Sequence, residues 1–275
     1  GSCGGQAGAV DEEGFLRAFE DVPTVQIYSA RDLEDMLVKT RQIIADPDQD
    51  WNKRVDALKK IRSLLMAGAS NYDEFYNHLR LLDPPFQASI KDLRSQVVRE
   101  ACVTIAYMSQ LLGNKMEHFT ENMLPCLFNL IQSSAKVVAT AGQVAIGFVV
   151  AHTHSSRLLP LLCSLLSHKS RDIRRAAVKL LHQVLSTWHT PILNKHVGLL
   201  QTGVQSAIGD ADQEVRMTAR KAYWAFKNHF PDHAEAILNS LDASYKRTLQ
   251  SDSMSNSSSS NSLHQPQRSK ITGLL

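Results

Sequence analysis

The sequence has few aromatic residues, few glycines and prolines, few cysteines and no long apolar run. Aromatics make up 7% of its 275 residues, and β-branched alternation is almost absent. The 13 glycines and 9 prolines are too few to turn the chain as often as an all-β fold requires, and five of those glycines fall within the first fourteen residues. No stretch of about 18 uncharged apolar residues occurs, so no membrane partner is expected. The start, GSCGGQAGAVDEEG, has neither the basic nor the apolar region of a signal peptide. The four cysteines (Cys3, Cys102, Cys126, Cys163) form no close pair, and Cys102 and Cys163 sit among apolar neighbours. They read as free thiols of a reducing compartment, with a zinc site disfavoured, which leads to an expected cytoplasmic location.

Catalytic signatures are missing too. There is no phosphate-binding loop, no dinucleotide glycine fingerprint and no nucleophile elbow, so neither an enzyme nor a cofactor is expected. His152-Thr-His154 has no carboxylate or thiol within local reach to complete a metal site. Asp46, Asp48 and Asp50 imitate a calcium loop, but no glycine and no closing glutamate follow at the required spacing. Both groups read as polar turns and helix caps.

What the sequence has is helical periodicity and an uneven charge. In SRDIRRAAVKLLHQVLSTW, counting from Ile173, apolar residues fall at Ala176, Ala177, Leu180, Leu181, Val184, Leu185 and Trp188, one face of an α-helix. Similar faces start at Val55, Val98, Val137 and Val215. The five anchors are separated by 43, 39, 36 and 42 residues. A period near 40, with another helix before each anchor helix, is the signature of HEAT-type repeats. The expected fold is an all-α HEAT-repeat solenoid of about six paired-helix units. An extra N-terminal helix around DEEGFLRAFEDV should place Phe15, Leu16 and Phe19 on one face. Asp172 and Asp212 are candidate N-caps. Residues 11–250 are expected to form one domain, with disordered segments at 1–10 and in the Ser-rich 251–275.

The net charge of +3 divides into ten basic and fifteen acidic residues over 1–90, sixteen and eight over 91–230, and four of each after that. Much of the central excess falls in the turns within the repeats, which in a solenoid project along one edge. The first turn carries Trp51 and Lys53, the second Arg94, Ser95 and Gln96, and the third Lys136. The fourth carries Lys169 and Arg171, and the fifth leads to Arg216, Arg220 and Lys221. A row of cations at the solenoid pitch suits a large acidic partner. Other readings stand beside this one. Trp51 folding back into its hairpin is one. Arg99, Arg174 and Arg216 pairing with Asp172 or Asp212 as a structural ladder is another. Lys136 and Lys169 as ordinary solvated charges is a third. Nucleic acid is disfavoured as a partner because the edge offers few aromatics for base stacking.

The runs DWNKRVDALKKIRSLL, VVREACVTIAYMSQLLG, DIRRAAVKLLHQVL and EVRMTARKAYWAFKNHFPDHAEAILNSLD resemble a TOG domain of the cytoplasmic linker-associated proteins (CLASPs), most nearly their second TOG domain. The resemblance covers about residues 11–250. It implies a monomeric module that binds αβ-tubulin and microtubules through its turn edge. In that family Trp51 matches the first-turn tryptophan that packs on β-tubulin, and the basic residues of the third to fifth turns match those facing the acidic tubulin surface. The implied activity is suppression of catastrophe and promotion of rescue at plus ends, on spindles and at kinetochores. A general HEAT-repeat scaffold that does not bind tubulin directly is the alternative.

Overall fold

The structure, a computed structural model, describes residues 3–260, with side chains over 11–253. The described residues hold α-helices and two short 3-10 turns, with no strand among them. None of the described helices is long and apolar enough to cross a membrane.

Helix α1 (Cys3–Glu20) precedes six helical hairpins. The first pairs α2 (Ala30–Ala45) with α3 (Trp51–Met66). The second joins a broken outer helix, α4 (Asp73–Leu81) and α5 (Asp83–Ile90), to α6 (Ser95–Leu112). The third pairs α7 (Glu117–Leu130) with α8 (Lys136–His152), and the fourth α9 (Leu158–Leu165) with α10 (Arg171–Thr187). In the fifth, α11 (Thr190–Asn194) and α12 (Val197–Ile208) pack on α13 (Gln213–His229), and α14 (Pro231–Ser240) leads into α15 (Ala243–Ser260). Proline shapes the outer layer. Pro84 and Pro191 sit in first turns, where the missing N–H costs nothing, and Pro125 lies inside α7.

The second helices stack in order, α3 on α6, α6 on α8 and α10 on α13, and their inner faces form one continuous core. Close approach is written into small residues. A Cβ on Gly142 of α8 would come within 2.8 Å of Leu130 Cβ, so α7 and α8 pack closer there than any side chain permits. Trp188, 2% exposed, closes the fourth repeat by donating its indole N–H to the Val150 carbonyl at 3.1 Å. Its ring stacks on His154 at 5.2 Å, and His154 also meets the Ala151 carbonyl at 2.8 Å, so this histidine serves packing between repeats.

Helix α1 lies across α6 and α8. Phe15 and Phe19 are buried against Phe148, and Arg99 holds its guanidinium over the Phe15 ring. Leu16 is 45% exposed and leaves the face expected for it. One residue turns a helix by about 100°, so positions 15 and 19 share a direction that 16 does not. Buried Arg62 ties this helix down. It donates to the Ala18 carbonyl (3.2 Å), to Thr104 Oγ1 (2.6 Å) and to Glu100 (2.6 Å). The terminal helices extend into segments read as disordered, α1 from Cys3 and α15 to Ser260. Once the docked end of a helix is nucleated, each further residue adds a hydrogen bond. The rest of the Ser-rich segment, 261–275, lies outside the described residues.

Two local expectations shift, one by a single position and one by two. Val137 is 54% exposed, and the inward anchor of α8 is Val138. Asp212 caps α13 by accepting the Val215 N–H at 3.1 Å, whereas Asp172 sits inside the first turn of α10, after the cap residue Ser170.

Candidate functional site: the turn edge

The second helices begin on one edge of the solenoid, at Trp51, Ser95, Lys136, Arg171 and Gln213. Their first-turn N–H groups lack carbonyl partners and carry the positive end of each helix dipole. Helices commonly neutralise this with a capping side chain or an early carboxylate. Here α3, α6 and α8 have no capping side-chain hydrogen bond and no carboxylate inside the first turn, although Asp50 stands at the N-cap of α3. Cations stand there: Lys53 in the first turn of α3, Arg94 at the start of α6 and Lys136 opening α8, while Arg171 opens α10 beside the first-turn carboxylate Asp172. Each opposes its own helix dipole, an arrangement suited to an anionic partner.

The apolar part of the edge is at its start. Trp51 is half-buried, with one side against the core. The Arg94 guanidinium lies 5.3 Å from its ring centroid. Leu93 is 103% exposed and lies with Trp51, Arg94, Ser95 and Gln96 around one shallow depression. Leu93 and Val137 are edge residues that sequence reasoning missed. For Leu93 the available signal was an isolated apolar residue in a polar turn, the same signal that identified Trp51; Val137, next to Val138, carried none.

Behind the edge runs a ladder of arginines. Arg54 pairs with Asp92 of the next turn while donating to its own turn at the Gln49 carbonyl. Arg174 repeats the pattern. It bonds Asp210 at 3.0 and 3.3 Å and the carbonyls of His168 (2.9 Å) and Lys169 (3.2 Å). Arg175 binds Asp212 at 2.8 and 2.9 Å and Glu214 at 3.1 Å. Those two hydrogen bonds from Arg175, together with the Val215 N–H, hold the Asp212 carboxyl well below the usual carboxylate range. The ladder suspected from sequence therefore exists, with other members: Arg174 takes Asp210, Arg175 takes Asp212, and Arg99 covers Phe15.

The sequence-derived candidates separate accordingly. Lys53, Arg94, Gln96, Lys136, Lys169, Arg171 and Lys221 are exposed, and Ser95 is half-buried beside Trp51. Among the described residues, Lys136, Lys169 and Arg171 have no carboxylate within 4.0 Å. Arg216 is spent on its own turn, donating to the Asp210 and Ala211 carbonyls at 2.8 and 3.0 Å. Arg220 pairs with Asp252 at 2.6 Å. As the eighth residue of α13 it stands about 10 Å along the axis from the turn, and Lys221 follows it.

Known proteins share this sequence and architecture. The sequence pattern described as CLASP N terminal matches residues 33–250. CLIP-associating protein 1-B of Xenopus laevis is 51% identical over 263 residues, covering 96% of this chain and 18% of that protein. The Drosophila melanogaster CLIP-associating protein is 42% identical over 249 residues, covering 90% of this chain and 17% of that protein. The chain thus spans under a fifth of the length of these two relatives. Among solved structures, a TOG domain of Caenorhabditis elegans Zyg9 superposes with a TM-score of 0.63 at 12% identity, covering 92% of this chain and 96% of that one. With that pattern over most of its length and half-identity to a CLIP-associating protein, this chain belongs to the CLASP N terminal family and has the TOG-domain, HEAT-repeat fold.

Proposed function

We propose that this chain is a microtubule-regulating module that engages αβ-tubulin along the turn edge. Trp51 and Leu93 supply apolar contact in this reading, and Ser95 and Gln96 supply polar contact. Lys53, Arg94, Lys136, Lys169, Arg171 and Lys221 supply electrostatic docking. Arg216 and Arg220 act one step back, by holding the fifth repeat in place.

The observation that carries this reading is the order along the edge: a half-buried tryptophan beside a fully exposed leucine, then cations without carboxylate partners at successive turns. Such an edge matches an elongated acidic surface with an apolar spot at one end. Family membership supports the same choice of partner. Suppression of catastrophe and rescue at plus ends, action on spindles and kinetochores in the cytoplasm, and a place as the second TOG domain of a longer protein belong to this proposal. So does the organisation of 11–250 as one monomeric domain.

The test is Trp51→Glu in a dynamics assay with purified tubulin. Loss of an aromatic anchor costs about 2 kcal/mol or more, roughly a thirtyfold weaker affinity. The variant is expected to keep its helical circular dichroism and lose its effect on catastrophe frequency. A catastrophe frequency equal to that of the wild type would rule out this face.

A further inference from the structure

The first repeat has an outward face that no other repeat covers. Helix α3 packs inward on α6, and α2 packs on α4 and α5, which leaves a groove between α2 and α3 at the end of the stack. Met36, Lys39 and Ile43 line it from α2, and Lys53, Ala57 and Lys60 from α3, around a volume of about 340 Å³. Each set follows a helical spacing that keeps it on one face. Seven residues of rise give the groove a length of about 10 Å, two turns of a helix laid in it.

A terminal repeat ordinarily presents a polar outer face. This one has an apolar floor between Lys39 on one flank and Lys53 and Lys60 on the other. The Thr40 hydroxyl on that floor is already engaged, donating to the Met36 carbonyl at 2.7 Å. Asp56 is the sole carboxylate lining the groove, and among the described residues none of the three lysines makes an ion pair.

We propose that this groove docks an acidic amphipathic helix of a partner protein. An apolar side chain of that helix seats between Met36 and Ile43. Carboxylates seven residues apart on one flank meet Lys53 and Lys60, which share that spacing, and a carboxylate on the other flank meets Lys39. This is the helix-in-groove mode, with charge complementarity setting the choice of partner. The groove contains no aromatic residue on which a nucleobase could stack.

The experiment uses the full chain with its Met and Ile methyl groups carbon-13 labelled. The probe is a fluorescein-tagged 18-residue peptide of leucines at helical spacing flanked by glutamates. Binding is expected to shift the Met36 and Ile43 methyl resonances. Lys39→Glu/Lys60→Glu should weaken it at least tenfold, as should a rise in NaCl from 50 to 300 mM. Lys195→Glu/Arg247→Glu, an equal charge change away from the groove, should leave it unchanged. Lys53 and Trp51 stay intact in both variants, so the result is separate from the tubulin reading. Circular dichroism melts confirm that each variant folds. Absence of binding overturns the proposal. So does equal binding by the Lys39→Glu/Lys60→Glu variant, or methyl shifts produced by phosphatidylserine vesicles and not by the peptide.

Discussion

Replacing Arg174 by methionine tests whether the cations behind the edge hold the fold while those on the edge do not. Arg174 makes four hydrogen bonds, two to Asp210 and two to the carbonyls of its own turn. Its side chain is 17% exposed and that of Asp210 is 10% exposed, so water screens the pair only partly. Methionine keeps the apolar stem packed and removes the guanidinium. Asp210 would retain only the Asp212 N–H at 2.8 Å, and the carbonyls of His168 and Lys169 would lose a donor. Breaking a fully buried pair costs about 3–5 kcal/mol, and a typical exposed pair contributes under about 1 kcal/mol. The exposures here place the loss between these, at about 2–3 kcal/mol, or a melting temperature lower by roughly 5–10 °C for a domain of this size. Lys169→Glu, on an exposed cation two residues before α10 begins, should change stability by less than about 0.5 kcal/mol. Differential scanning calorimetry of both variants makes the comparison. An Arg174→Met protein melting within about 1 °C of the wild type would refute the structural role of the ladder, since that is below the shift expected for even 1 kcal/mol.

Four further outcomes follow from the structure. Gly142→Ala should destabilise by about 1–3 kcal/mol, because the new methyl meets Leu130 Cβ at 2.8 Å and the Leu127 carbonyl at 3.1 Å. Gly147→Ala, with nothing within 4 Å of the new methyl, should stabilise by about 0.5–1 kcal/mol, and urea melts of the two variants should move in opposite directions. Asp212, whose carboxyl is held low in the folded state first by Arg175, contributes stability above the unfolded carboxylate range, near pH 4. That contribution is lost as pH falls towards the folded value, so the wild type should lose stability on acidification in a way that Asp212→Asn does not, as acid titrations read by circular dichroism would report. Burial pushes the Cys102 and Cys163 thiols up to about 12, so neither should react with iodoacetamide at pH 8 until the chain is denatured, as peptide mass mapping would show.

The sequence by itself determined the helical hairpins, their period near 40 and the turns that fall on one edge. Those features follow from local periodicity, which needs no knowledge of neighbours in space. It also placed Trp51 at the first turn, where α3 begins, because a tryptophan in a polar turn is conspicuous wherever it packs. The tertiary structure decided what periodicity leaves open by a single residue. Val138 rather than Val137 turns inward, and Leu16 turns out while Phe15 and Phe19 turn in, because the direction of a side chain depends on where its helix meets the next one. The same holds for charge. Arg171 and Arg174 are three residues apart in one basic run, yet one faces solvent and the other is held by Asp210, 36 residues later in the chain. A sequence gives the sign of each charge. Only the stacking of repeats brings an arginine of one turn to the aspartate of the next, and so separates the cations that hold the solenoid together from those left for a partner.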